Sequence, residues 1–406
     1  MQRKIYVVVG LLALSVIPIT SWSQEYFTKP DSSFKAIQPN ASIQLWGVYS
    51  MHEQAQLIEG GALEPVDNRL SFMGRRARFG FKGQPYTGLH YTLTVHYDNL
   101  GKDKLNAARG STNAGELGIL DAYVSYQLTK KDQLWLTGGY FQPQGSREAI
   151  TGDMLVNSFD KSVSQGYVRQ HINGKGYGRS TGLNLGGILR HQQKPIQLEY
   201  HLGIFGNNAS GTDTKRFPES SGIQWSPIIT ERIAISIGDP DKSKYSINYD
   251  ANNFFNQRKG ITIGGYHTQQ GRSDFFQSNS TIGIDVLFNY DRWNFDTEIN
   301  WLQRSKDGED FHAQTGHIRL GYNVILGDKY FLEPMISWVK YKGDNGGQFS
   351  GEDEVFDLGV NWYINKKNCK IALHYIMQDG HGKNSYTDGV TFKKGDYIGL
   401  AFVLLM

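Results

Sequence analysis

The stretch Gly74-Arg75-Arg76-Ala77-Arg78-Phe79-Gly80-Phe81-Lys82-Gly83 combines cations and apolar side chains at a spacing that could do electrostatic work. Successive side chains of a strand point to opposite faces, so Arg76, Arg78 and Lys82 share one face while Ala77, Phe79 and Phe81 take the other. A guanidinium presents a rigid fork of donors that matches oxyanions. Such a face, lining a wet and narrow passage, would select ions by charge without making bonds. The alternative reading pairs Arg76 and Arg78 with acids on the same inner surface. Parity adds Arg232, Arg319 and Lys370 to the basic lining, and Arg147, Arg169 and Lys175 lie in the long stretch 142–176. The same rule turns Asp98, Asp121, Glu199, Asp285, Asp296, Glu298, Glu333 and Asp357 inward. The expectation is therefore one basic wall facing an acidic wall around Asp296, Glu298 and Glu333, with no clear basic surplus.

The elements that would hold these residues repeat one unit, about ten residues of alternating character followed by a turn. Leu89, Tyr91, Leu93, Val95 and Tyr97 alternate with His90, Thr92, Thr94, His96 and Asp98; Leu120, Ala122, Val124 and Tyr126 alternate with Asp121, Tyr123, Ser125 and Gln127. About sixteen such units are present, and their links alternate between short (129–132, 291–292, 365–368) and long (99–117, 142–176, 206–227, 378–394). Transmembrane barrels join an even number of strands by short periplasmic turns and longer outer loops. The connection 240–258 is long where a short turn is due. Tyr97, Tyr126, Tyr140, Tyr290, Trp301, Trp338 and Trp362 fall near strand ends with outward parity, where a bilayer interface favours them. The sequence ends inside an amphipathic strand that carries Ile398, Leu400, Phe402 and Leu404 on one face. Arg75, with opposite parity to Arg76, is expected to snorkel to the outer headgroups.

Composition agrees. Hydrophobic residues make up 39% and aromatics 13%, with 47 glycines, a polar balance suited to strands that are wet on one face. Residues 1–23 read as an export signal: Arg3 and Lys4, an apolar run over 5–20, then Ser21-Trp22-Ser23. Removing that signal takes the formal charge from +3 to about +1, which leaves no basic excess to suggest nucleic acid. The single Cys369 excludes an internal disulfide framework, and the histidines show no tight ligand spacing, so neither metal nor cofactor is expected. Gly178-Arg179-Ser180-Thr181-Gly182 matches the G-x-S-x-G pattern, but the strand-like Leu183-Asn184-Leu185-Gly186 that follows does not suit the strand-to-helix elbow a hydrolase serine needs. The domain plan is a signal (1–23), a periplasmic segment (24–40) and an all-β transmembrane antiparallel barrel of about sixteen strands (41–406).

The arginine-rich stretch, preceded by Ile43-Gln44-Leu45-Trp46-Gly47 and followed by Leu120-Asp121-Ala122-Tyr123-Val124 and Thr137-Gly138-Gly139-Tyr140-Phe141-Gln142-Pro143, resembles the phosphate-selective porin O and P family of Gram-negative outer membranes. The resemblance implies a sixteen-stranded homotrimeric barrel in outer-membrane lipid, whose third outer loop folds inward; residues 142–176 occupy that position. It implies passive diffusion of small ions and hydrophilic solutes, or anion-selective uptake of phosphate or polyphosphate. A plugged adhesion barrel is the remaining alternative.

Overall fold

The computed structural model describes residues 37–56, 58, 61–103, 105–108, 117–173, 178–207, 224–343, 351–380 and 392–406. The expected signal, nearly all of the 24–40 segment and Lys175 lie outside these residues.

Sixteen strands form the wall. They are β1 (Gln38–Met51), β2 (Arg69–Tyr86), β3 (Leu89–Leu100), β4 (Leu117–Gln127), β5 (Trp135–Phe141), β6 (Ser180–Arg190), β7 (Ile196–Phe205) and β8 (Ile228–Gly238). There follow β9 (Gly260–Gln270), β10 (Ser278–Tyr290), β11 (Trp293–Lys306), β12 (Glu309–Tyr322), β13 (Phe331–Gly343), β14 (Glu352–Asn365), β15 (Cys369–Gly380) and β16 (Asp396–Leu405). Each pairs antiparallel with its sequence neighbours, and β1 also pairs with β16, Trp46 standing opposite Ala401. The sheet therefore closes into a barrel with no free edge, the only way strands can satisfy their backbone inside lipid. The two ends of the described barrel knit together where Ala41 and Met406 exchange backbone hydrogen bonds of 3.1 and 2.8 Å. β1 begins at Gln38, three residues before the expected boundary.

Alternation dictates the two faces. In β10, Ile282, Ile284, Phe288 and Tyr290 are exposed outward while Asp285, Leu287 and Asn289 are buried inward. Two residues break the parity, and each sits at a bulge, where one extra residue turns a side chain over. Between β1 and β2 the register slips, Gln44 facing Arg76 and Leu45 facing Gly74, so Arg75 is the extra residue. Arg75 thus points inward, buried against Asp160 and over the Trp46 ring, which corrects the expectation that it reaches the headgroups. The second slip, between Thr94–Asp121 and Val95–Ile119, turns Leu120 inward.

The lumen is occupied from both ends. From the outer end the third loop, 142–179, enters with helices α1 (Arg147–Ile150) and α2 (Val163–Asn173). From the periplasmic end the 239–259 connection, expected to be anomalous, rises into the barrel, burying Tyr245, Ile247, Tyr249, Asn252, Asn253 and Phe255. Apolar clusters consequently form between these segments and the wall: Phe159 with Trp46 and Tyr397, Tyr167 with Tyr341, and Phe255 with Phe331 and Tyr363. Gly399 on β16 is required here, because a Cβ would stand 2.3 Å from the Phe159 ring.

An outward side chain at mid-strand meets hydrocarbon, and an arginine at the midplane costs about 2–4 kcal/mol. Ile284→Arg is therefore expected to lower the unfolding free energy in lipid vesicles by that order. Unchanged stability would mean that this face does not meet lipid.

Candidate functional site

The third loop is held by charge. Ser146 Oγ caps α1 by accepting from the Ala149 N–H, and it donates to Glu298 Oε1 at 2.6 Å. The Glu148 N–H donates to the other Glu298 oxygen at 3.0 Å. The Glu148 carboxylate accepts from both terminal nitrogens of Arg319, which also reaches Asp296 at 3.1 Å. Further along the loop, Asp160 accepts from Arg75 at 2.8 Å and from Arg76 at 2.7 Å. Asp153 accepts from Arg78 at 2.5 Å and lies 3.0 Å from Lys161 Nζ. Hydrogen bonds with one ionisable partner each complete the lashing. Asn157 donates to Glu333 at 3.2 Å, the Phe159 N–H to Asp357 at 2.9 Å, and Lys370 Nζ to the Val156 carbonyl at 2.7 Å.

The expected site residues therefore divide into groups. Arg76 and Arg78 face the lumen beside the loop, joined by Arg75. Lys82 stands exposed towards the periplasmic end of β2, away from this cluster. Arg232 grips Asp285 with two bonds of 2.6 and 2.9 Å, and both side chains are fully shielded from solvent. Arg147 pairs with Asp241 of the periplasmic insert at 2.6 Å. Arg169, on α2, lays its stem over Gly178, where φ is +73° and any Cβ would collide with it. Asp296, Glu298 and Glu333 point inward but lie under the loop as its anchors, so they do not form an open acidic wall.

The water-accessible charges lie on the opposite side. Side-chain exposure is 18% for Asp160, 14% for Asp153, and 13% for both Arg179 and Asp121, against 1% for Arg319 and Glu148. Arg179, 3.3 Å from Asp121, was singled out only as part of the G-x-S-x-G pattern. The serine of that pattern opens β6 and is not on a strand-to-helix turn. Around the opening stand Arg75, Arg76, Arg78, Lys161 and Arg179 with Asp98, Asp121, Asp153 and Asp160. Every one of these cations has a carboxylate partner.

Loop carboxyls respond to this setting. Burial pushes Asp160 up, but Arg75 and Arg76 outweigh it and hold the carboxyl below the ordinary range. Asp153 and Glu148 behave alike under Lys161 with Arg78 and under Arg319, respectively. Burial lowers His171 on α2 to about 3, so its ring is neutral where Nε2 meets the Ser280 carbonyl at 2.9 Å. Glu148, Asp296 and His317 are close enough to share a cation, but the Arg319 guanidinium already lies between the two carboxylates.

A closed sixteen-stranded barrel with an inward loop that narrows a charged passage is the architecture of an outer-membrane porin. The chain belongs to the phosphate-selective porin O and P family, whose sequence profile matches residues 61–403. No curated protein sequence matches it. Among solved structures it is similar to the outer-membrane channel DcaP of Acinetobacter baumannii, at 12% identity and a TM-score of 0.53, over 94% of this chain and 100% of that one. It is also similar to an anion-selective porin from Comamonas acidovorans, at 11% identity and a TM-score of 0.54, over 91% and 99%. Pseudomonas putida OprB matches at 9% identity and a TM-score of 0.55, over 91% and 94%. At these identities the likenesses show the fold. With the family, they make the protein an outer-membrane channel for small solutes.

Two outcomes follow. Arg319→Ala removes the guanidinium between the buried Glu148 and Asp296 and leaves His317 as the one cationic group beside them among the described residues; breaking a buried pair in this way costs about 3–5 kcal/mol. The expected result is easier proteolytic cleavage of the third loop in detergent, with the barrel still intact; cleavage at the wild-type rate would contradict it. A carboxyl held below its ordinary value contributes stability that is full above that value and is lost as pH falls through the lowered one. Single-channel conductance should therefore stay level from neutrality to about pH 5 and change only below about pH 4, where Asp and Glu ordinarily titrate.

Proposed function

We propose that this porin is a general diffusion channel for small hydrophilic solutes and ions, with weak ion preference. The observation that carries this reading is the pairing at the opening: five cations and four carboxylates bond to one another there, so little uncompensated positive charge faces a passing ion. Opposed fixed charges orient dipolar solutes and leave small salts nearly unsorted, since selectivity follows the net charge lining a pore. Export through a signal cleaved near Ser23 and assembly as a homotrimer complete the reading; both draw on the sequence and on the family resemblance.

A second reading, uptake of phosphate or polyphosphate, is favoured by the family's name and by Arg76 and Arg78 standing beside Lys161. Guanidinium forks already engaged by Asp153 and Asp160 would first have to be released to hold an oxyanion.

Titrating phosphate against the chloride current of the purified protein separates the two. The general-channel reading predicts no block by millimolar phosphate. A saturable block that disappears in Arg76→Ala/Arg78→Ala would establish the phosphate path instead.

A further inference from the structure

The 239–259 connection lies on the periplasmic side, where the other links between described strands run to eight residues or fewer. An idle linker would hang below the barrel and touch only its own strands, β8 and β9. This segment instead touches both sides of the lumen. Tyr245 stacks on Trp135 of β5 at 5.8 Å and accepts from Asn184 of β6 at 3.1 Å. Tyr249 donates to Glu199 of β7 at 3.1 Å, and Asn252 donates to Asp296 of β11 at 2.7 Å. Phe255 packs against Phe331 of β13 and Tyr363 of β14, with ring centroids at 5.3 and 4.9 Å.

The segment also meets the third loop directly. The Tyr249 N–H donates to the Ile150 carbonyl and the Gly152 N–H to the Tyr249 carbonyl, both at 3.2 Å, which forms a parallel bridge between Thr151 and Tyr249. The Arg147 guanidinium lies 4.1 Å over the Tyr249 ring and pairs with Asp241. Two chain segments entering from opposite ends thus join by backbone hydrogen bonds inside the barrel.

Between the buried Tyr249 and Ala251 stands Asp250, which is exposed. Lys244 and Ser246 are exposed likewise, in alternation with the buried Tyr245, Ile247 and Tyr249. One edge of the insert thus packs on the wall through Tyr245 and Tyr249, and the other, with Asp250, is left to the water that remains.

We propose that residues 239–259 form a second constriction element, built from the periplasmic side, which fills the lumen against β5–β14 and confines solutes to the β2–β4 side. Asp250, on the exposed edge of the insert, is its specificity-determining residue. Its partner in this work is the passing ion itself, so the inference rests on the pore reading.

Two variants test it in planar bilayers under a potassium chloride gradient. Asp250→Lys changes an exposed side chain, so the barrel folds as before. Its reversal potential should move towards anions relative to the wild type, and an unchanged reversal potential would overturn the assignment. Replacing 241–257 by Asn-Gly should raise single-channel conductance several-fold in a protein that still shows the heat-dependent gel shift of a folded barrel; wild-type conductance would overturn the constriction. Should the shortened chain fail to fold, Asp250→Lys decides alone. A wild-type protein that forms no channel would refute the pore reading itself, a result distinct from wild-type channels that ignore both changes.

Discussion

The interior depends on one constraint, that a charge shielded from water must be paired. The barrel wall turns Arg75, Arg76, Arg78, Arg232 and Arg319 inward, and its own carboxylates answer three of them: Asp98 for Arg78, Asp285 for Arg232 and Asp296 for Arg319. The third loop supplies Asp160 for Arg75 and Arg76, and a second anion each for Arg319 and Arg78, Glu148 and Asp153. Folding the loop inward is therefore the condition under which the wall can carry Arg75 and Arg76. The same pairing removes the free positive charge that a phosphate filter would use. Structure and selectivity follow from a single set of ion pairs.

Lashing the loop to β11–β15 on one side and to the β2 arginines on the other also decides where solutes go. Its anchors on β11–β15 and the insert's anchors on β5–β14 cover most of the lumen, and the exposed charges collect near β2–β4. Aromatic contacts such as Phe159 on Trp46, 4.6 Å between centroids, give the plug an apolar core of its own. Lipid covers the outside of this barrel, so its buried core lies inside, between wall and plug.

Much of this was legible in the sequence, because alternation with a period of two both makes a strand and sorts its faces. Strand number, the long third loop and the inward parity of Arg232, Arg319, Asp285 and Glu298 follow from that rule alone. Parity failed at Arg75 and Leu120, where a bulge inserts one residue, since nothing local distinguishes an extra residue from a regular one. The pairing of Glu148 with Arg319, 171 positions apart, was invisible because only the folded loop brings the two together. The insert announced itself by length, yet its direction of travel depends on partners spread over half the wall. Arg179 was obscured by the serine pattern around it.

The measurement that tests the central claim most directly is the reversal potential of the purified wild-type protein in a planar bilayer under a potassium chloride gradient. Lumenal cations matched by carboxylates predict a reversal potential close to zero, with potassium and chloride passing at similar rates. A potential near the chloride equilibrium value would contradict the account, because it would require arginines at the opening that are free of their carboxylate partners.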